Sequence, residues 1–292
     1  MSVLNEALDI HDENPVLARA LLERIVFSEL EEKDKNSFIW LVNHVVGEAL
    51  ADWAGAFALL IANKSEYSEA YFKSLSVAAY YSGNPLHAFI AEFEYARLAN
   101  ASLAETKVLV GLLCLQFMRS DEPIMSLLTL LSGYSSSPSL PLNLVIGKSM
   151  AAALNNTVSK LIEDSRLQVD DPFHKQVTID AALLCKQLWL QCGTWINHER
   201  SLYLCALVFN RFSEWGPAIE VIKEAVKVIE TNGSEEVDKA FLLLEYGKAQ
   251  QGLGNLEHAQ QKLDEADQIA KDFDPPLYQW FSEQRAKVVS PE

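Results

Sequence analysis

No run in the 292 residues alternates apolar and polar side chains with the Val, Ile and Thr enrichment of a half-buried strand, which excludes a sheet-based fold. Glycine and proline are scarce, at 12 and 10, as in long helices joined by short turns. The 4 cysteines form no CxxC pair, so neither a zinc ribbon nor a thioredoxin-like site is expected. Cys185 and Cys192 are spaced to share one helical face and read as buried thiols. Basic residues number 24 against 40 acidic ones, and the charge of −16 is shared by both halves of the chain. That balance excludes a nucleic-acid module, which needs clustered Lys and Arg to displace counterions. It permits a basic partner. The most apolar run, Val108 to Met118, is about half as long as a bilayer span, so no membrane partner is expected. The opening MSVLNEALDIHDENP carries acidic residues and no apolar core, unlike a secretory signal. A cytoplasmic protein is the expectation.

What is present is helical periodicity, from the first residues onward. Leu4, Leu8, Leu17, Leu21 and Ile25 recur at helical spacing, and Asn14-Pro15 reads as a helix start. The charged run Glu29 to Lys35 reads as a solvated connection. Phe38–Leu50 and a helix capped by Asp52 follow, with Trp40, Ala56 and Leu60 as packing residues. Gly83 and Pro85 sit where one helix ends and the next begins, in SEAYFKSLSVAAYYSGNPLHAFIAEFEYARLA. Residues 132–141, SGYSSSPSLP, form the single Ser/Pro-rich stretch. They divide the chain into an N-terminal half, 1–133, a connection, 134–141, and a C-terminal half, 142–292. Alternatively the stretch is an ordered loop inside one continuous stack. Beyond it, Leu142–Leu154, Val158–Arg166 and a helix from Pro172 to about Leu190 are expected. His198–Phe212 and Pro217–Glu230 form a hairpin, and Leu277–Val288 is a closing helix.

The stretch Leu243 to Pro276, LLEYGKAQQGLGNLEHAQQKLDEADQIAKDFDPP, is the most regular. Small residues at Gly247, Ala259 and Ala266 allow two antiparallel helices to approach, Leu243 and Leu263 fill the seam, and Gly254-Asn255 turns the chain. This pattern resembles the tetratricopeptide repeat, with Gln250 standing where that family has a tyrosine. The resemblance extends over roughly 199–276 through Leu202, Ala206, Phe209, Ala218, Ile222 and Ala225, and faintly over 38–99. The register between hairpins, Ala218 to Ala259, is 41 residues instead of the family's 34. It implies an all-α, right-handed solenoid of about 14–16 helices.

Such repeats are interaction scaffolds whose first helices line a concave groove. By that alignment the groove positions are Arg200, Tyr203, Leu207, Asn210, Arg211, Phe241, Leu244, Lys248 and Gln251. Tyr203, Leu207 and Leu244 occupy sites where carboxylate-gripping family members carry polar residues. The implied partner is therefore a protein helix or peptide of mixed character. A different class of function is a regulatory module that senses a small ligand or peptide between the halves.

Catalytic motifs fail in detail. Gly147-Lys148-Ser149 ends a phosphate-loop pattern whose first glycine position is Leu142, and no strand precedes it. His198-Glu199 opens a zinc-hydrolase pattern whose second histidine position is Leu202. No G-x-S-x-G or G-x-G-x-x-G occurs. The six histidines form no i, i+4 pair, and His44, His87 and His258 read as surface or interhelical residues. No enzyme activity, metal or cofactor is expected, and oligomeric state is left open.

Overall fold

A computed structural model describes residues 2–64, 68–118, 122–135 and 143–289. Among them every regular element is helical and no strand occurs. The chain divides into two compact units, Met1–Phe117 and Met118–Glu292.

The first unit opens with α1 (Val3–Ile10) and α2 (Pro15–Leu22), each started by a side chain accepting from the first turn. Ser2 caps α1, and Asn14 caps α2 with Pro15 at its first position. After a 3₁₀ turn at Phe27–Glu29 comes α3 (Glu32–Leu41). The charged run expected as a connection lies partly inside α3. Glu32 and Asp34 fall in its first turn, where carboxylates meet the positive end of the helix dipole. The helix then continues as a π-helical segment, Val42–Ala49, in which Leu50 N–H donates to Val45 O at 3.0 Å. Such wider turns are rare and frequent at functional sites. There Gly47 abuts the Trp53 ring, which a Cβ would meet at 2.5 Å. Trp40, expected in the packing seam, is instead half exposed and stacks on His44.

Next come α4 (Trp53–Ala62), α5 (Glu69–Tyr81), α6 (Pro85–Leu98) and α7 (Leu103–Leu115). Helix α5 is the centre of the unit and touches α3, α4, α6 and α7. Tyr71 is buried and donates to Leu60 O at 3.1 Å, so one member of the tyrosine-rich stretch fixes α5 to α4. Gly83 turns α5 into α6 with a φ of 73°, a left-handed conformation that suits glycine.

The second unit begins at α8 (Ile124–Ser135), which packs on α10 (Pro172–Cys192). That contact moves the division of the chain to Phe117, ahead of the expected boundary at 133. Of the Ser/Pro-rich stretch, residues 136–141 lie outside the described residues. Helix α9 (Leu144–Glu163) is continuous where two helices were expected. Its buried Leu154, Thr157, Val158 and Leu161 carry one apolar stripe across the Asn155-Asn156 pair. Gly147-Lys148-Ser149 lies within this helix, so the phosphate-loop reading fails on geometry as well.

Helices α11 (Trp195–Arg211) and α12 (Trp215–Asn232) precede α13 (Glu236–Gly252), α14 (Leu256–Ala270) and α15 (Pro275–Val289). Consecutive helices pack as antiparallel neighbours, and α9, α11, α13 and α15 also touch in series. Helices α10, α12 and α14 make no comparable contacts with one another, so the odd-numbered helices form one continuous layer. The α13–α14 seam follows the sequence pattern. Ala259, Leu263 and Ala266 are buried, Gly254 turns with φ 80°, and Gln250 is buried, accepting from Asn255 Nδ2 at 2.9 Å. Gln250 thus supplies a hydrogen bond that holds the turn. A Cβ on Gly247 would meet Leu263 Cδ2 at 2.5 Å. Gly247→Ala, which would ordinarily favour a helix by ~1 kcal/mol, should instead destabilise by about 1–3 kcal/mol through overpacking. Urea denaturation of the two proteins measures the sign.

No helix among the described residues is long and apolar enough to cross a membrane.

Candidate functional site

The nine residues expected to line a groove separate into an open set and a buried set. Arg200 is exposed on α11, and its Nε donates to Asp238 Oδ2 on α13 at 2.9 Å. Arg211 is exposed and donates to Ile162 O at 3.3 Å. Tyr203, Leu207, Lys248 and Gln251 are half-buried. Phe241 and Leu244 are core residues, 4% and 2% exposed, and they do not face solvent. The physical reason is α15. It packs along α13, placing Trp280 4.3 Å and Phe281 5.7 Å from the Phe241 ring. An alignment that treats every first-helix position as open overlooks the helix that closes the stack. Asn210 is also buried, 2% exposed. Its Nδ2 donates to Glu245 O at 2.9 Å and to Glu245 Oε2 at 2.7 Å, so it joins α11 to α13.

Between those helices lies a group that pattern reading missed. Glu199 is completely buried, and neither carboxylate oxygen has a hydrogen-bond donor from the protein. Burial, then the neighbouring Asp238 carboxylate, push its carboxyl up to about 8. Near neutral pH Glu199 therefore keeps its proton. Tyr203 is raised as well, first by burial and then by Glu245, Asp238 and Glu199. His198, one residue away, is lowered by burial. In the sequence, Glu199 stands only in the zinc-hydrolase pattern that fails at Leu202. Only the approach of α13 reveals it as buried.

In the first unit, α6 turns a row of large apolar side chains outward. Leu86, Phe89, Ile90 and Phe93 are 67%, 47%, 48% and 54% exposed. Their i, i+3, i+4, i+7 spacing places them within an arc of about 100° on a 3.6-residue helix. Ala88, Ala91 and Tyr95 occupy the opposite face and are buried. The two faces divide the labour: small residues plus Tyr95 dock α6 into the unit, and four large apolar side chains face water. Lys107 Nζ lies 6.0 Å from the Phe89 ring centroid, leaving a cation at the edge of the stripe. The sequence carried this signal in a helix apolar on two faces, a pattern that normally means both are covered. Comparison with known proteins adds no further constraint, since neither a family model nor a curated protein matches the chain.

Proposed function

We propose that this chain is a non-catalytic interaction subunit, built of tetratricopeptide-like helical hairpins in a right-handed stack, that binds a helix of a protein partner. The observation that carries the reading is the α6 stripe. Four large apolar side chains at helical spacing, each about half exposed or more, cost solubility unless a partner covers them. Their spacing matches the anchors by which one helix recognises another. The chain's net charge of −16 suits a partner with basic flanks, whose binding weakens as salt rises. The exposed Arg200 and Arg211 and the half-buried Tyr203, Leu207, Lys248 and Gln251 on α11 and α13 belong to the same reading as further contacts.

The test is a double variant, Phe89→Glu with Phe93→Glu. Both side chains are half exposed, so the melt should stay within about 0.5 kcal/mol of wild type. Affinity for a protein recovered with wild type from native extract should fall at least about 30-fold, as expected when an aromatic anchor of ~2 kcal/mol is lost. An unchanged complex with an unchanged melt would move the interface elsewhere. Sedimentation of the purified chain tells a foreign partner from a second copy.

A further inference from the structure

The chain brings together two histidines and an aspartate that lie far apart in sequence. His11 terminates α1, Asp12 follows it, and His44 lies in the π-helical segment after α3. Asp12 Oδ1 is 3.5 Å from His11 Nε2 and 3.6 Å from His44 Nε2. One potential ligand atom from each of the three residues falls within 4.8 Å of the others. Donor atoms around a tetrahedral zinc ion stand about 3.4 Å apart, given metal–ligand bonds near 2.0–2.1 Å. Both Asp12–His distances already match that value. From this geometry we infer that His11, Asp12 and His44 form a site for a divalent transition-metal ion of the zinc class, bound through the two Nε2 atoms and one Asp12 oxygen.

The outer partners of the two rings support this assignment independently of the distances. His11 Nδ1 lies 2.5 Å from Leu8 O. A carbonyl only accepts, so this nitrogen carries a proton, and in the neutral ring Nε2 keeps its lone pair. His44 Nδ1 lies 3.0 Å from Glu48 Oε2, where again the ring donates. A carboxylate or carbonyl behind each imidazole, fixing the tautomer and leaving the other nitrogen for the metal, is the usual support of a histidine ligand. Trp40 walls the site, stacked on His44 at 4.8 Å and edge-on to His11 at 5.5 Å. The His side chains are 17% and 29% exposed and Asp12 is 78% exposed, so an ion can enter from solvent and retain water as a further ligand. Two imidazoles select Zn²⁺, Co²⁺ or Ni²⁺ over Ca²⁺ and Mg²⁺, which prefer all-oxygen sets. A bound ion would join the end of α1 to the π-helical segment, a metal-dependent clamp within the first unit. The i, i+4 search for ligand pairs along one helix cannot find it, because the two histidines lie on different helices.

This inference is independent of the interaction reading. It is tested with the untagged full-length chain, stripped with a chelator and titrated with Zn²⁺ by calorimetry and with Co²⁺ by absorption and fluorescence. Wild type should bind one ion per chain, and Co²⁺ should quench a component of emission that is missing in Trp40→Phe. His11→Ala and His44→Ala should abolish the site. Glu48→Gln, which would not itself coordinate the ion, should weaken it by about 10–100-fold. Asp12 is exposed, so Asp12→Asn keeps the test valid should either histidine variant fail to fold, and it too should weaken binding. Binding that survives in Asp12→Asn and Glu48→Gln at wild-type affinity would overturn the assignment. So would displacement of Zn²⁺ by equimolar Ca²⁺ or Mg²⁺, or no binding by wild type.

Discussion

Replacing Phe241 by alanine should lower stability by about 3–5 kcal/mol, the cost of emptying a large aromatic site in a packed core. Phe241 packs with Leu243, Leu244, Leu263 and Phe281 in one buried cluster, and Trp280 covers its ring. In a unit of this size the melting temperature should fall by roughly 10 °C. A groove residue would behave otherwise, since its truncation leaves the isolated chain nearly unaffected. Urea and thermal denaturation of Phe241→Ala therefore decide between the open groove that repeat alignment predicts and the α15-covered core. The same change should loosen α15, read as faster amide exchange over residues 275–289.

Glu199→Gln should have its effect through pH. The buried carboxyl is raised to about 8, against an ordinary value near 4.5. Between those values the folded state keeps a proton that the unfolded chain has released. The contribution of Glu199 to stability is thus fully present below about pH 4.5 and is lost as pH rises through about 8. Wild type should lose roughly 5 kcal/mol across that window from this group, at about 1.36 kcal/mol per unit of raised pKa. Glutamine keeps a donor toward Asp238 and cannot ionise, so the variant should match wild type near pH 5 and exceed it in stability at pH 9. His198, lowered by burial, acts in the opposite sense, costing stability as the medium becomes acidic. Melts of both proteins from pH 5 to 9 separate the two. Parallel curves would mean that Glu199 does not hold its proton.

Local rules made the helices and turns legible. Ser102 and Glu105 complete a reciprocal capping box, and Gly83 and Gly254 take the left-handed turns that their positions suggest. Small residues at Gly247, Ala259 and Ala266 do mark a helix seam. What the sequence concealed depends on neighbours distant along the chain. Phe241 has the same local pattern whether or not α15 lies across it. Glu199 is buried only because α13 packs over α11 with Asp238. His11 and His44 meet only because α1 and α3 pack together. The change to π-helical turns after Leu41 has no mark in periodicity that the eye can separate from an ordinary helix. Two helices were expected over Leu142–Leu154 and Val158–Arg166, yet the buried stripe through Leu154, Thr157, Val158 and Leu161 makes α9 one helix across Asn155-Asn156.

The central claim is that α6 presents an interface to another protein. Its most direct test is a photo-crosslinking amino acid placed at position 89 or 93, and for comparison at position 64, in cells that make the protein. The account predicts one discrete crosslinked species with a foreign protein from both α6 positions, containing a helix with basic flanks, and none from position 64. Crosslinks absent from both α6 positions, or equally strong from position 64, would contradict it.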